Sequence, residues 1–478
     1  MMVAVFTNLS PRSVTLIVDD DFSDDEDSNG DKYYKTLSKA LANANCGDTV
    51  ILKPGTYDET INFRNGNSDN GLVGEKNCTK FLPLTIRAEN LVIAGWKKDE
   101  IGAGSIIGCI LNGIDYNCDY SKVSYVNRFS TTGTNSNANI YIEGIETHYI
   151  GFASGCRSCR VTRNFFNVNF NKQIVLPSSD NSVIAGNHGY RAGGDSSGDM
   201  TFSGYDSKNL NVHHNNLYGV RGTNGAGFNN DDCTESNWKT ACKDDFLGTD
   251  GWTVDNENEC GTRFHHNKIY NLSYRYNSTD DGDAIDLKKM NCSDDPSQFY
   301  NNEIYNNAGT GQIVIHRGAK GARFYNNTIR NGDGYGVYFQ AGQECSGSDD
   351  YGYINDHQFL GNFIYENGLG GIKLRHKSSS TCLDYREIYN IGIVSNSIIN
   401  NGGYGIHIDW LSDDQMIFGI SVDLTNTIQI LANELISNSD YQIVVGNDFI
   451  EYVMIDGNII TGVNLIGDSE VDFSEILE

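Results

Sequence analysis

The sequence predicts an all-β protein: a single right-handed parallel β-helix, a solenoid of stacked coils, with an N-terminal capping helix. Three observations carry that reading. First, a unit of Asn, any residue, then Ile, Leu or Phe recurs as TRNFF, HHNNL, HHNKI, YNNEI, YNNTI, LGNFI, VSNSI, LANEL and DGNII. The asparagines at 267, 302, 327, 362, 396, 433 and 458 are separated by 35, 25, 35, 34, 37 and 25 residues, an elastic period in the range of repeat architectures. Second, short alternating runs lie between glycines: DAIDLKK, GQIVIHRG, GYGVYFQAG, GGIKLRHKS and GYGIHIDWL. Period two means strand, and the flanking glycines mean turns. Third, 52 Gly, 27 Tyr and only 5 Pro in 478 residues describe a turn-rich but ordered chain. The recurring asparagines 267, 302, 327, 362, 396 and 433 are expected to form one internal ladder, each amide satisfying its neighbour and the bent backbone.

Residues 1–30 read as an N-terminal strand and an acidic loop, in which Asp19, Asp20, Asp21, Asp24, Asp25 and Asp27 form a solvated surface. Residues 33–44, YYKTLSKALANA, space Tyr33, Leu37, Ala40 and Leu41 for one face of a helix. A solenoid needs such a cap, because an open coil exposes apolar core and unpaired strand edges. GDTVILKPGTYDETI follows as the opening coil. The β-helix is assigned to residues 31–465, and residues 466–478 to an acidic C-terminal tail.

With 62 acidic and 35 basic residues the formal net charge is −27, which argues against nucleic acid or an anionic membrane surface as partner. No apolar run approaches the ~20 residues of a membrane span. Twelve cysteines, an even number, are scattered instead of gathered into zinc-like quartets, and the lone C-x-x-C at Cys156 and Cys159 has no second pair to complete a site. With sequons at Asn8, Asn77, Asn271, Asn277, Asn291 and Asn326, this points to a disulfide-bonded, glycosylated, secreted or surface protein, although the N-terminus shows no basic region and long apolar run of a signal peptide. Cys233, Cys242 and Cys260 are expected to staple the long excursion from Asn229 to Cys260.

The stretch TDDGDAIDLKKMNC, Thr279 to Cys292, gathers Asp280, Asp281, Asp283 and Asp286 with Lys288 and Lys289. If Ile285 and Leu287 point inward, Asp286 and Lys288 point outward. The same parity turns out Val314 and His316, Tyr338 and Gln340, Lys373 and Arg375, then His407 and Asp409, with Arg317, His376 and Trp410 just beyond. A partly basic, aromatic face on an acidic protein suits a linear acidic polysaccharide, since Tyr and Trp stack on sugars while Lys and Arg pair with carboxylates. Tyr338, Lys373, Arg375, His376, His407 and Trp410 are the substrate-binding candidates. The same composition also describes a solvated ion-pair patch with no ligand.

The run VDDD, the acidic loop, the amphipathic segment and GDTVILKPGTY resemble the opening of secreted pectin-lyase-like β-helix proteins, a likeness that FLPLTIRAENLVIAG and NIYIEGIETHYIGF continue. Asp281 to Lys288, followed one coil later by IVIHRG, is similar to the active site of the chondroitinase-B and alginate-lyase family of polysaccharide lyases. The resemblance implies Ca²⁺ held by Asp281 and Asp283, with Asp286 beside them, Lys288 as base, and His316 and Arg317 as the cationic partner. Both carboxylates are Asp where that family has Glu, and the basic pair is in reverse order. For the family's ligand on the preceding coil the nearest residues are Asp255 and Asn256. The aspartate cluster also resembles that of calcium-dependent pectate lyases. The leading expectation is calcium-assisted β-elimination of a uronate-containing polysaccharide. The rivals are a glycoside hydrolase on the same fold and a non-catalytic glycan-binding adhesin or viral surface protein.

Overall fold

A computed structural model describes residues 13–23, 32–63, 73–89, 108–111, 114–117, 124–131, 137–152, 155–167, 172–190, 200–218, 250–272, 282–341, 354–376, 388–410, 428–445, 453–461, 463–466 and 469–472. The protein is a right-handed parallel β-helix, as its sequence predicts. Two compact units are distinguished: Met1–Phe166 with Ser179–His188, and Asn167–Ser178 with Gly189–Glu478.

In the first unit, parallel strands set Leu16, Val50, Ile86, Ile142, Val161 and Ile184 in one register column. All are buried, while the alternate positions Thr15, Thr49, Thr85, Tyr141 and Arg160 face away. The helix is shorter than the apolar spacing suggests. It spans Leu37–Asn43, because Tyr33 and Tyr34 instead pair as an edge strand with Ile17 and Val18. Leu37, Ala40 and Leu41 are its buried side. Among its described residues Cys46–Cys78 and Cys156–Cys159 form disulfides, so the C-x-x-C pair is bonded to itself.

The second unit repeats three strands per coil. One sheet stacks Val212, Phe264, Phe299, Phe324, Phe359, Ile393 and Ile430. The second stacks Trp252, Ile285, Ile313, Val337, Ile372, Ile406 and Ile443. The third stacks Leu217, Ile269, Ile304, Ile329, Ile364, Ile398, Leu435 and Ile460. These columns face inward and are buried, so apolar residues pack on apolar residues at every coil.

Between the first and third sheets the expected ladder forms. Each Nδ2 donates to the next Oδ1 at 2.9–3.1 Å through Asn267, Asn302, Asn327, Asn362, Asn396 and Asn433, ending at Asn458. Each Oδ1 also accepts the backbone N–H of the preceding asparagine. The residue before each rung turns the chain through left-handed backbone: His266, Asn301, Asn326, Ser395 and Ala432 have φ between 53° and 56°, and Gly361 and Gly457 have φ 61° and 62°. The buried amides offset the steric penalty of that conformation.

A second ladder, not anticipated, runs through Asn367, Asn401 and Asn438. Where one coil offers only Gly332, Gln312 reaches across, accepting from Asn307 Nδ2 at 2.8 Å and donating to Asn367 Oδ1 at 3.0 Å. Among the described residues a further disulfide joins Cys260 to Cys292, on neighbouring coils. Cys260 therefore does not staple the 229–260 excursion, whose Cys233 and Cys242 lie outside the described residues. Among the described residues no helix is long and apolar enough to cross a membrane.

Candidate functional site

The site lies on the second sheet of the second unit. Strand Asp250–Asp255 pairs in register with Ile285–Lys288, Trp252 beside Ile285 and Val254 beside Leu287, and the Gly251 N–H donates to the Asp283 carbonyl at 2.9 Å. That register stacks Asp250 against Asp283, each two residues before the first inward apolar side chain. Asp250 Oδ1 accepts the Asp283 N–H at 3.3 Å, and Asp283 Oδ1 accepts the Gly311 N–H at 3.3 Å. A Cβ on Gly309 would come within 2.0 Å of Asp283 Oδ1 and 2.8 Å of its backbone nitrogen, so only glycine leaves room for that carboxyl.

Asp286, on the outward parity, completes a buried trio: carboxylate oxygens of Asp250, Asp283 and Asp286 lie within 4.8 Å of one another. Asp286 forms an ion pair with Lys288 Nζ through one oxygen and meets His316 Nε2 at 2.8 Å through the other. Lys288 and His316 are direct register partners on adjacent coils.

The electrostatics follow from burial and neighbours. Burial first, then the charges of Asp250 and Asp286, push the Asp283 carboxyl well above its ordinary value. Burial pushes Asp286 up as well, but Lys288 and His316 together outweigh it and hold its carboxyl below the usual range. For Lys288 burial favours the neutral amine, yet Asp286 and Asp250 prevail and raise it above its ordinary value. Lys288 is therefore an ammonium here. Three buried carboxyls crowd together here beside Lys288 and His316, so added positive charge, whether protons on the trio or a bound cation, relieves their mutual repulsion.

The donor set is all carboxylate oxygen, the kind a hard cation such as Ca²⁺ selects. It differs from the expected one. Asp283 and Asp286 belong to it; Asp281 lies outside the described residues; and the carboxyl that joins them from the preceding coil is that of Asp250. Asp255 Oδ1 instead faces Lys289 Nζ at 3.4 Å, and Asn256 Oδ1 accepts the Asn258 N–H in a local turn at 3.0 Å. Comparing DGWTV with DAIDL, aspartate two places before an inward apolar residue on successive coils, was the signal that could have found Asp250.

Asp286, Val314, Tyr338, Lys373 and His407 form one register column, and Lys288, His316, Gln340, Arg375 and Asp409 the next. Lys373 Nζ lies 2.7 Å from His407 Nδ1, and Arg375 donates to the Tyr338 hydroxyl at 3.3 Å. Outward parity does not mean exposure at these positions: Asp286, Val314, Tyr338 and Lys373 are all 5% exposed or less. Arg317 follows His316 in left-handed backbone with φ 51°, near enough to weigh on Lys288. His376 and Trp410 are backbone partners at the end of their strands.

No protein-family model and no curated protein matches the sequence. Among solved structures the chain is similar to the Dettilon tailspike protein, with a TM-score of 0.51 and 10% identity over 90% of this chain. The match takes in 63% of the tailspike's own length. It is also similar to the A-module of mannuronan C-5 epimerase AlgE6 from Azotobacter vinelandii, with TM-score 0.45 and 13% identity over 86% of this chain and 90% of that one. A mannuronic acid specific polysaccharide family 6 lyase from human gut microbiota gives TM-score 0.45 and 13% identity over 97% and 93% of the two chains. At 10% identity the likeness to the tailspike shows the fold, a right-handed parallel β-helix, and nothing narrower.

Proposed function

We propose that the protein acts on an acidic polysaccharide outside the cell and cleaves a uronate linkage by β-elimination. The observation that carries this reading is the convergence of Asp250, Asp283 and Asp286 with Lys288 and His316 on three adjacent coils. The reaction removes the C5 proton alpha to a carboxylate, an acid too weak unless the developing enolate is neutralised. Asp250, Asp283 and Asp286 would hold Ca²⁺, which when bound supplies that neutralising charge and weakens the hold of the carboxylates on the Lys288 proton. Lys288, once neutral, takes the C5 proton. The C–H electron pair becomes the C4–C5 double bond as the C4–oxygen bond breaks, and the Lys288 ammonium returns the proton to the departing oxygen. His316 and Arg317 pair with substrate carboxylates, and Arg375 and His407, half-buried in the outward columns, extend the binding face.

A glycoside hydrolase is the second reading, and one observation favours it. Asp283 is driven toward its protonated form while Asp286 is held ionised, the divergence that separates an acid from a nucleophile or base. Incubating the protein with alginate, polygalacturonate and glycosaminoglycans, with calcium or with chelator, decides between them. Elimination gives an ultraviolet-absorbing unsaturated product that disappears on chelation. Saturated reducing ends without absorbance assign the hydrolase, and binding without cleavage in calcium assigns the adhesin.

A further inference from the structure

On the first sheet of the second unit, away from the strands that carry the aspartates, two dihistidine turns lie on successive coils. His213 stacks on His265 with ring centroids 5.1 Å apart and planes 10° from parallel, and His214 stacks on His266 at 5.1 Å and 2°. Within each turn the rings are nearly perpendicular, and the two Nδ1 atoms approach to 2.9 Å in both His213–His214 and His265–His266. His214 and His266 are exposed, and His213 and His265 half-buried. Stacking alone does not require this convergence, since turning either ring over would keep the stack and part the nitrogens.

The tautomers sharpen the point. His265 Nε2 lies 3.0 Å from Asn211 Oδ1, an acceptor, so it carries the proton and leaves a lone pair on Nδ1. Two Nδ1–H groups could not face each other at 2.9 Å, so each turn shares at most one proton between its nitrogens. Imidazole nitrogens bind zinc-like ions at about 2.0–2.1 Å, and two such bonds at a right angle place their nitrogens about 2.9 Å apart.

We propose that His213–His214 and His265–His266 form a binding site for a borderline divalent first-row metal ion, of the class of Ni²⁺, Cu²⁺ or Zn²⁺. Such ions favour imidazole, whereas Ca²⁺ and Mg²⁺ favour oxygen. One turn supplies a two-point chelate, and water fills the remaining positions. The stacked rings are 5.1 Å apart, so divalent ions on both turns would repel without a bridging anion, which favours one ion on the tetrad. Asn211 acts as the outer partner that orients His265, the role hydrogen-bond acceptors play behind metal-bound histidine. Arg263, two residues before His265, is exposed and its opposing charge is screened by salt. The next coil carries Tyr300–Asn301 in place of the dihistidine, which ends the array.

Titration calorimetry of the full chain with Ni²⁺, in excess Ca²⁺ to fill oxygen sites, is expected to show saturable binding of one ion. The quadruple variant His213→Gln, His214→Gln, His265→Gln, His266→Gln should lose it, and Asn211→Leu should weaken it roughly tenfold to hundredfold. Because the quadruple variant could misfold, electron paramagnetic resonance of Cu²⁺ on the unmodified protein gives an independent reading. Coupling to two imidazole nitrogens supports the site. Oxygen-only ligation, a single nitrogen, or unchanged Ni²⁺ binding in a folded quadruple variant overturns it.

Discussion

His316 Nε2 stands 2.8 Å from Asp286 Oδ1 across adjacent coils, 30 residues apart in the chain. Since Lys288 holds the other oxygen, one buried carboxylate ties two basic side chains from two coils into a unit. The Lys288→Arg variant keeps the charge opposite Asp286 but cannot serve as a base near neutral pH. It should stay folded, with a thermal midpoint within a few degrees of wild type, while double-bond formation falls by at least about 10²-fold. Lys288→Ala should also cost stability, about 3 kcal/mol, because it leaves a buried charge with one partner fewer. Full eliminase activity in Lys288→Arg would remove the assignment of the base.

Asp283 titrates in the opposite sense from an ordinary ion-paired carboxylate. Its folded value is raised, so the folded state keeps a proton that the unfolded chain releases, and stability falls as pH rises above the unfolded carboxyl value near 4. The slope is about 1.4 kcal/mol per pH unit while that difference persists. In chelator, Asp283→Asn should therefore be more stable than wild type at pH 7 and equal to it near pH 3. Urea unfolding across that range measures the crossing. Calcium should stabilise wild type and do less for the variant.

Asp286 behaves conversely. Its folded value is depressed, so its contribution is complete above the unfolded carboxyl value and is lost as pH falls through the folded one. Replacing Asp286 with Asn should lower stability at pH 7 and flatten the dependence on pH below about 4. An unchanged acid limb would show that the ion pair contributes nothing to acid unfolding.

The internal ladder should be intolerant of shortening. Asn327 donates to the Phe299 carbonyl and to Asn362, and accepts from the backbone N–H and side chain of Asn302. Asn327→Ala strands several buried groups, each worth about 1–3 kcal/mol, so a loss of at least about 3 kcal/mol is expected in denaturant unfolding. Asn301→Gly, at the neighbouring exposed left-handed position with φ 54°, should be within about 1 kcal/mol of wild type.

The Cys260–Cys292 bridge closes a loop with a sequence separation of 32. On a chain-entropy basis its removal costs about 3 to 4 kcal/mol. Cys260→Ser with Cys292→Ser should show that loss in urea, and a reductant should then have less effect on this variant than on wild type.

The β-helix was legible in the sequence because stacking repeats one environment on every coil. A buried Asn rung, an inward Ile and an outward polar residue recur at matched places, and period two assigns each to its face. The register of Lys288 with His316 and of Lys373 with His407 followed from that parity alone. What tertiary structure decided was everything set at the corners and between non-equivalent coils. Parity places Asp283 with the inward Ile285, opposite to Asp286; only the turn at Gly282 and the glycine gap at Gly309 bring both carboxyls together with Asp250. Nor could spacing tell that Gln312 would cross the gap left by Gly332, that Cys260 would bond to Cys292, or that Tyr33 and Tyr34 would pair as strand and shorten the helix. Strand alternation is a local property of the backbone, whereas the meeting of carboxylates depends on which turns share a height along the coil stack, and insertions of variable length between rungs erase that from the linear sequence.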